Sequence, residues 1–433
     1  MDASAVFARF VALVGSVAVA IRHSGDGPRP PAYGLKPTIP GPKPQGSIPT
    51  LKMPTAKGWQ DGRTPVPAPG LKVNAFARDL DHPRQVYILP NGDVLVAESM
   101  GESGNPKTVF DHAMSATMKR ARASGDSPNR IILLRDADGD GVAEVRHVLL
   151  ENVRQPYGMV FLDNTLYVGA SDALLAYPYE LGQTKITAQG RKLMGMKPGG
   201  HWTRNLIANK DGTKIYVAVG SLSNIGDAGM EAEIDRACIF EYDIAAGTHR
   251  LFAGGLRNPV GMAFEPTTQT LHTVVNERDG LGDETPPDYL TSVVDGGFYG
   301  WPYCYWNRTV DDRVPQDAAK VAIALQPDFA LGGHTASLGL CWLPDGTLPG
   351  YPAGMAIGQH GSWNRSKLSG YKLTFVEFKD GKPVGMPRDI LTGFLTEDEN
   401  YSYGRPVGVA HAADGSVLMA DDVGDVIWRV TGA

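Results

Sequence analysis

Cysteine is scarce in this chain: Cys238, Cys304 and Cys341 are the only three among 433 residues. No CxxC or CxxCH spacing occurs, which argues against a cysteine-built zinc site and a covalently attached haem. The three thiols leave two arrangements open: one disulfide with a free thiol, or three buried thiols packed as small apolar groups. A large charge surplus is also missing. The formal net charge is -6, so there is no basic surplus to hold a polyanion, and no nucleic-acid partner is expected. The apolar stretch near the N-terminus, Phe10 to Ile21, is too short to span a bilayer comfortably. Arg9 before it and Ala18-Val19-Ala20 near its end predict a signal peptide or anchor over residues 1–24. That implies an exported, periplasmic-type location, with membrane anchoring through this segment as the alternative.

What is abundant is glycine, with 52 residues, and proline, with 32. From residue 25 to 70 they are dense and no apolar period is visible, so this stretch reads as a linker or an arm wrapped on a domain. From Leu71 onward one pattern recurs. A turn with Pro or Asn leads into an apolar run, then a tight turn, then an alternating strand. The copies are HPRQVYILPNGDVLVAES (82–99), QPYGMVFLDNTLYVGAS (155–171) and RNLIANKDGTKIYVAVGS (204–221), followed by RNPVGMAFEPTTQTLHTVVNE (257–277), ASLGLCWLPDGTLPGYPAGMAIG (336–358) and RPVGVAHAADGSVLMADD (405–422). Asn91-Gly92, Asp211-Gly212, Asp345-Gly346 and Asp414-Gly415 are dipeptides suited to hairpin turns. The flanking runs have the period-two alternation of strands. One small sheet cannot bury both faces, but six packed around an axis can. The expected fold is an all-β six-bladed β-propeller over residues 71–433, with the strand after Leu71 completing the last blade.

Four segments carry groups with chemistry. Gly199-Gly200-His201 opens the third repeat, and an imidazole titrating near neutrality suits proton abstraction. Arg257 and Asn258 open the fourth, where a guanidinium fork suits a carboxylate and the amide adds a donor and an acceptor. Asn276 to Glu284 is rich in carbonyls, carboxylates and glycine, the oxygen set a hard cation such as calcium takes. Asp136, Asp138, Asp140 and Glu144 resemble the start of a calcium loop, but the twelfth position is His147, so an EF-hand is excluded and a hairpin tip is expected.

Taken in order, LRNPVGMAF (256–264), the acidic loop before GGFYGWP (296–302) and HGSWNRS (360–366) resemble the soluble quinoprotein glucose and aldose sugar dehydrogenases, and most nearly a sorbosone dehydrogenase-like subgroup. The resemblance covers the chain from about Leu71 to its end. It implies pyrroloquinoline quinone and calcium above the propeller axis, a sugar or related polyol or aldehyde as substrate, and an external electron acceptor. Carried over residue by residue, it implies His201 as the catalytic base and Arg257, Asn258, Thr335, Arg365 (or Lys367) and Arg405 as quinone ligands. Backbone carbonyls at Asp279 and Gly280 would hold the calcium. Two departures stand out. Gly200 replaces the aspartate that the glucose enzymes place before the histidine, and Arg278-Asp279-Gly280 stands where they have an HGP loop. Arg257, Arg365 and Arg405 come from three repeats and would converge on the three carboxylates of the quinone.

Two other readings remain open at this stage. A calcium-dependent lactone hydrolase on the same architecture would centre a metal on Glu277, Asn258 and Asp421 or Asp422. A propeller that only binds a partner would need no cofactor and no His201.

Overall fold

The computed structural model describes residues 32–43, 50–104, 109–314 and 316–433. The signal or anchor expected over residues 1–24 lies outside these. Six antiparallel sheets follow one another along the chain. Blade I consists of Pro83–Ile88, Val94–Glu98, Arg130–Arg135 and Val145–Glu151; blade II of Met159–Leu162, Thr165–Ala170, Ala173–Pro178 and Arg191–Gly195. Blade III is Leu206–Ala208, Lys214–Val219, Cys238–Asp243 and Thr248–Gly254. Blade IV is Pro259–Glu265, Thr270–Val275, Pro287–Ser292 and Phe329–Gly333. Blade V holds Ser337–Leu343, Gly354–Gln359, Lys372–Lys379 and Lys382–Thr392, and blade VI holds Pro406–His411, Val417–Asp421 and Val426–Gly432. The ring closes where Leu71–Ala77 supplies the fourth strand of blade VI, pairing Leu71 with Gly432 and Val73 with Val430. A pairing of the two ends of the domain removes the edges that an open array would expose.

The recurring glycine of the first strands has a steric cause. A Cβ on Gly158 would lie 2.2 Å from Leu206 N, and one on Gly261 2.7 Å from Leu340 N. On Gly339 it would lie 2.0 Å from Val407 O, and on Gly408 2.8 Å from Arg84 O. The innermost strands of adjacent blades meet here, and a side chain would force them apart. Farther out, apolar side chains fill the gap between each pair of sheets. Leu343, Phe375, Trp428 and Val430 pack between blades V and VI, and Leu95, Leu133, Leu166 and Val168 between blades I and II. This two-sided burial is why the strands read as near-continuous apolar runs.

The segment ahead of Leu71 lies along the last three blades. Tyr33–Gly34 extends blade IV, Val66–Pro67 extends blade V, and Thr55–Ala56 pairs with Tyr401–Ser402. Trp59 donates to Asp421 Oδ2 at 2.6 Å and stands edge-on to Trp428 and Phe394. The three cysteines are free thiols; burial pushes Cys304 up to about 11 and Cys341 up to about 12. The acidic stretch from Asp136 to Glu144 is the hairpin tip between the last two strands of blade I. Its four carboxylates lie within 4.8 Å of one another, and all four accept backbone N–H groups of the turn.

Candidate active site

Strands alternate in direction within each blade, so the loops before every first strand and after every second strand gather at one end of the ring. There they enclose a cavity of about 250 Å³ on the axis, just below the usual range of about 300–1,000 Å³ for ligand pockets. Its walls include Arg84, His201, Trp202, Arg257, Asn258, Glu277, Asp279, His334, His360, Trp363 and Arg405. The Asp136–Glu144 tip is at the opposite end and takes no part.

His201 is held from below by two buried guanidinium groups. Arg204 donates to the carbonyls of His201, Thr203 and Lys197, and Arg236 to those of Gly199, Lys197 and Pro198. A Cβ on Gly200 would lie 2.5 Å from Leu222 O, and one on Gly220 2.5 Å from His201 Cβ. Both glycines are therefore required for the close approach. His201 Nδ1 lies 2.9 Å from Ser221 O. A carbonyl only accepts, so Nδ1 carries the proton and Nε2 the lone pair. The neighbouring Ser221 hydroxyl already donates to Ser223 O at 2.7 Å. Burial, followed by the Arg257 charge, lowers His201 to about 3, so the ring is neutral and able to accept a proton.

Arg257 is in the cavity wall, but its fork is spent. Nε donates to Asn224 O, Nη1 to Asn276 O and Glu277 O, and Nη2 to Asn224 Oδ1 and Asp279 Oδ2. All five N–H groups have protein acceptors, so this guanidinium can lend charge to a ligand but no free fork. Asn258 is the reverse case: its side chain lines the same cavity, and its Oδ1, packed against Gly220, is buried without a partner. Arg405 donates from Nε to His360 O and from Nη2 to Gly361 O. Its Nη1 has no partner among the described residues. Arg84, outside the four segments with sequence-legible chemistry, joins it from blade I. One Nη1 bond goes to Asp422, the Nε is buried without a partner, and the guanidinium lies 5.5 Å from the Trp202 ring. A first-strand position directly after His82-Pro83 was the signal available, but a lone arginine in an apolar run has no chemistry until the neighbouring blade is placed.

Three expectations need correction. Arg365 does not reach the axis. It donates to Asp283 O, Gly333 O and Lys367 O and pairs with Glu284, so it ties the loop of blade V to blade IV. Lys367 accepts from it through its carbonyl and does not line the cavity. Thr335 is fully buried, and its hydroxyl is engaged with Asp288 at 3.1 Å and Ser337 at 3.0 Å. The backbone carbonyl of Asp279 is also occupied. It accepts from Arg278 Nε at 3.0 Å, Arg278 Nη2 at 2.7 Å and Asn224 Nδ2 at 3.1 Å, while Gly280 O faces Arg313 at 3.5 Å. Three donors and an adjacent guanidinium leave that carbonyl no lone pair for a cation.

Carboxylates facing the cavity are the alternative oxygen source. Although burial opposes it, the His334 hydrogen bond and the Arg257 charge hold Asp279 below the ordinary carboxylate range; the same contact lifts His334 against its own burial. Burial raises Glu277 to about 7. Its Oε2 accepts only the N–H of Arg278, and Oε1 has no partner among the described residues. Glu277 Oε1 is therefore the uncommitted carboxylate oxygen suited to calcium. The hydrolase set is not assembled, because Asp421 accepts from Trp59, Trp428, Arg405 N and Gly424 N, and Asp422 is paired with Arg84 and His360. The site fits an anionic planar quinone: cationic donors at Arg84 and Arg405, an unpartnered amide at Asn258, and indoles at Trp202 and Trp363.

A model of the TrAA12-like family matches residues 65–433. An uncharacterised protein of Borreliella burgdorferi is 26% identical over 298 residues, covering 66% of this chain and 77% of that one. A pyrroloquinoline quinone-dependent pyranose dehydrogenase of Coprinopsis cinerea is 26% identical over 361 residues, 68% of this chain. The match takes in 49% of the curated dehydrogenase, so the chain spans about half its length. Among solved structures, a Trichoderma reesei enzyme of carbohydrate-active family AA12 superposes with a TM-score of 0.70 at 19% identity, covering 87% of this chain and all of that one. The holo quinone domain of the Coprinopsis cinerea pyranose dehydrogenase gives 0.68 at 20%, covering 88% of this chain and all of that one. The quinone-bound aldose sugar dehydrogenase of Streptomyces coelicolor gives 0.55 at 15%, covering 84% and 99%. At such identities the superpositions establish the propeller alone. The sorbosone-like subgroup expected from the sequence is not among these relatives.

Proposed function

The chain belongs to the TrAA12-like family, and from that premise we propose that it is a pyrroloquinoline quinone-dependent sugar dehydrogenase with calcium as its second cofactor. The observation that carries this reading is the pairing, in one axial cavity, of a neutral His201 with uncommitted polar groups on Arg405, Arg84 and Asn258. Arg405 and Arg84 hold ligand carboxylates, Asn258 orients the ligand edge, and the buried Arg257 charge favours an anion without contacting it. Glu277 supplies the side-chain oxygen for calcium, in place of the carbonyls of Asp279 and Gly280. When bound, the quinone supplies the two-electron acceptor and calcium the Lewis acid. His201 Nε2 takes the proton of the sugar hydroxyl while its Nδ1–H stays on Ser221 O, which fixes the ring in the productive tautomer. An anion on the arginines offsets the positive field that lowers His201, and so strengthens it as a base when the site is filled. A pyranose or related aldose is the substrate class, an external electron carrier the partner, and an exported compartment the setting. No helix among the described residues is long and apolar enough to cross a membrane.

Titration of the purified protein with the quinone, with and without calcium, tests this reading. Saturable quenching of Trp202 and Trp363 fluorescence and aldose-dependent bleaching of a redox dye are expected, both strengthened by calcium as linkage requires. A protein that neither binds the quinone nor bleaches dye with any of a panel of aldoses and polyols overturns it.

A further inference from the structure

The HGSWNRS segment and the aspartate pair of the last repeat contain two groups that the reading above leaves unused, His360 and Asp422. They come from the ends of the second strands of blades V and VI. His360 Nε2 lies 2.8 Å from Asp422 Oδ2, and Asp422 is 1% exposed. Against its burial, its contacts with His360, His82 and Arg84 hold the Asp422 carboxyl well below the ordinary range, so it is a carboxylate and only accepts. His360 Nε2 therefore carries the proton. Arg84 Nη1 shares the same oxygen, and its 3.3 Å spacing to His360 Nε2 is that of two donors meeting on one acceptor. The lone pair of His360 is on Nδ1, which has no partner among the described residues, and the ring lines the axial cavity. The groups facing it are Asp422 and Arg405 from blade VI and Arg84 from blade I, with His82 behind Asp422 at 3.4 Å. Burial and the Arg405 charge keep the ring neutral.

A carboxylate behind an imidazole orients it and stabilises the imidazolium that forms. His201 has only a carbonyl in that place, so the cavity holds two neutral imidazoles of different support. The stoichiometry of the dehydrogenation calls for two. Oxidation of a CH–OH group to C=O releases two electrons and two protons. The hydroxyl proton goes to His201. The second hydrogen leaves carbon with the electron pair as hydride, and it is released as a proton by the time both electrons have passed, one at a time, to two equivalents of a one-electron acceptor.

We propose that His360, aimed by Asp422, takes up this second proton, so that the two protons of one turnover leave by separate imidazoles. The inference rests on the dehydrogenase reading. The test uses the protein loaded with quinone and calcium, in rapid mixing across the neutral pH range. One arm follows reduction by aldose alone. The other follows reoxidation of the reduced protein by ferricyanide. H360N, or H360Q should the first fail to fold, is expected to slow reoxidation at least tenfold and to flatten its pH dependence, in line with the about 10²–10⁴ of general-base catalysis. Reduction by aldose should change much less. D422N should slow reoxidation by a smaller factor. Nitrogen NMR of the unloaded protein should show His360 as the Nε2–H tautomer, lost in D422N. Equal slowing of both arms, no slowing of either, or an Nδ1–H tautomer overturns the inference. A parent protein that no aldose reduces overturns the dehydrogenase reading instead, and this inference with it.

Discussion

The two walls of the axial cavity are built from similar residues and differ in whether their arginines remain available. On the side of blades III and IV, Arg257 has every N–H bonded within the protein, and the loops carrying His201 and Asp279 are tied by Arg204, Arg236 and Arg278. On the side of blades VI and I, Arg405 keeps Nη1 uncommitted, while Arg84 Nε and Asp422 Oδ1 are buried without partners. The contrast teaches that an arginine in a pocket is not by itself a ligand. Buried donors are almost always satisfied, so an unsatisfied one in a cavity wall marks where a ligand belongs. A saturated one marks scaffold.

The greatest effect is expected on the wall of blades III and IV, where His201 bears the reactive atom. His201→Ala should bind quinone like the parent and lose turnover by about two to four orders of magnitude. Single-turnover reduction by aldose measures it, and a parent-like rate would move the base to the other wall. Next comes the scaffold arginine. Arg257→Ala strips five carbonyl and carboxylate acceptors of their donor, and breaking a buried pair costs about 3–5 kcal/mol. The loss should appear in thermal unfolding of the quinone-free protein. A parent-like melt with weak quinone binding would make Arg257 a direct ligand and erase the contrast between the walls.

Arg405→Ala, which strips only two carbonyls, should lower the melt less and weaken quinone affinity more, by about tenfold to a hundredfold for the loss of a charge-assisted contact of roughly 1.5–3 kcal/mol. Arg365→Ala is its control, since that side chain joins blades IV and V outside the cavity and should leave the binding curve unchanged. The smallest effect concerns pH. Burial raises Glu277 to about 7 in the fold, above the ordinary carboxylate range. Its stabilising contribution is therefore fully present at acid pH and is lost as pH rises through about 7. Glu277→Gln mimics the protonated form, so it should melt like the parent at acid pH and a few degrees higher above neutrality. Calcium should raise the melt of the parent more than that of the variant. Equal gains in both would remove Glu277 from the calcium site.

The six blades, the closing strand at Leu71 and the cluster of His201, Arg257, Asn258 and Arg405 at one end of the ring were all readable along the chain. Their signals are local. Asx-Gly turns, period-two alternation and a polar residue just before a first strand each lie within one repeat, and repetition fixes which end of the ring each such residue occupies. What only the tertiary structure decided is which polar atoms remain uncommitted. Arg257 is spent on Asn224, 33 positions away, and Arg365 on Glu284, 81 positions away. Asp279 O is taken by the side chain of its own neighbour Arg278, held in place through Asp311. Arg84 meets Asp422 across 338 positions because the ring closes there. A hydrogen bond needs its partners within about 3 Å at a set angle. That condition has no signature in a linear sequence when the partners sit on different blades.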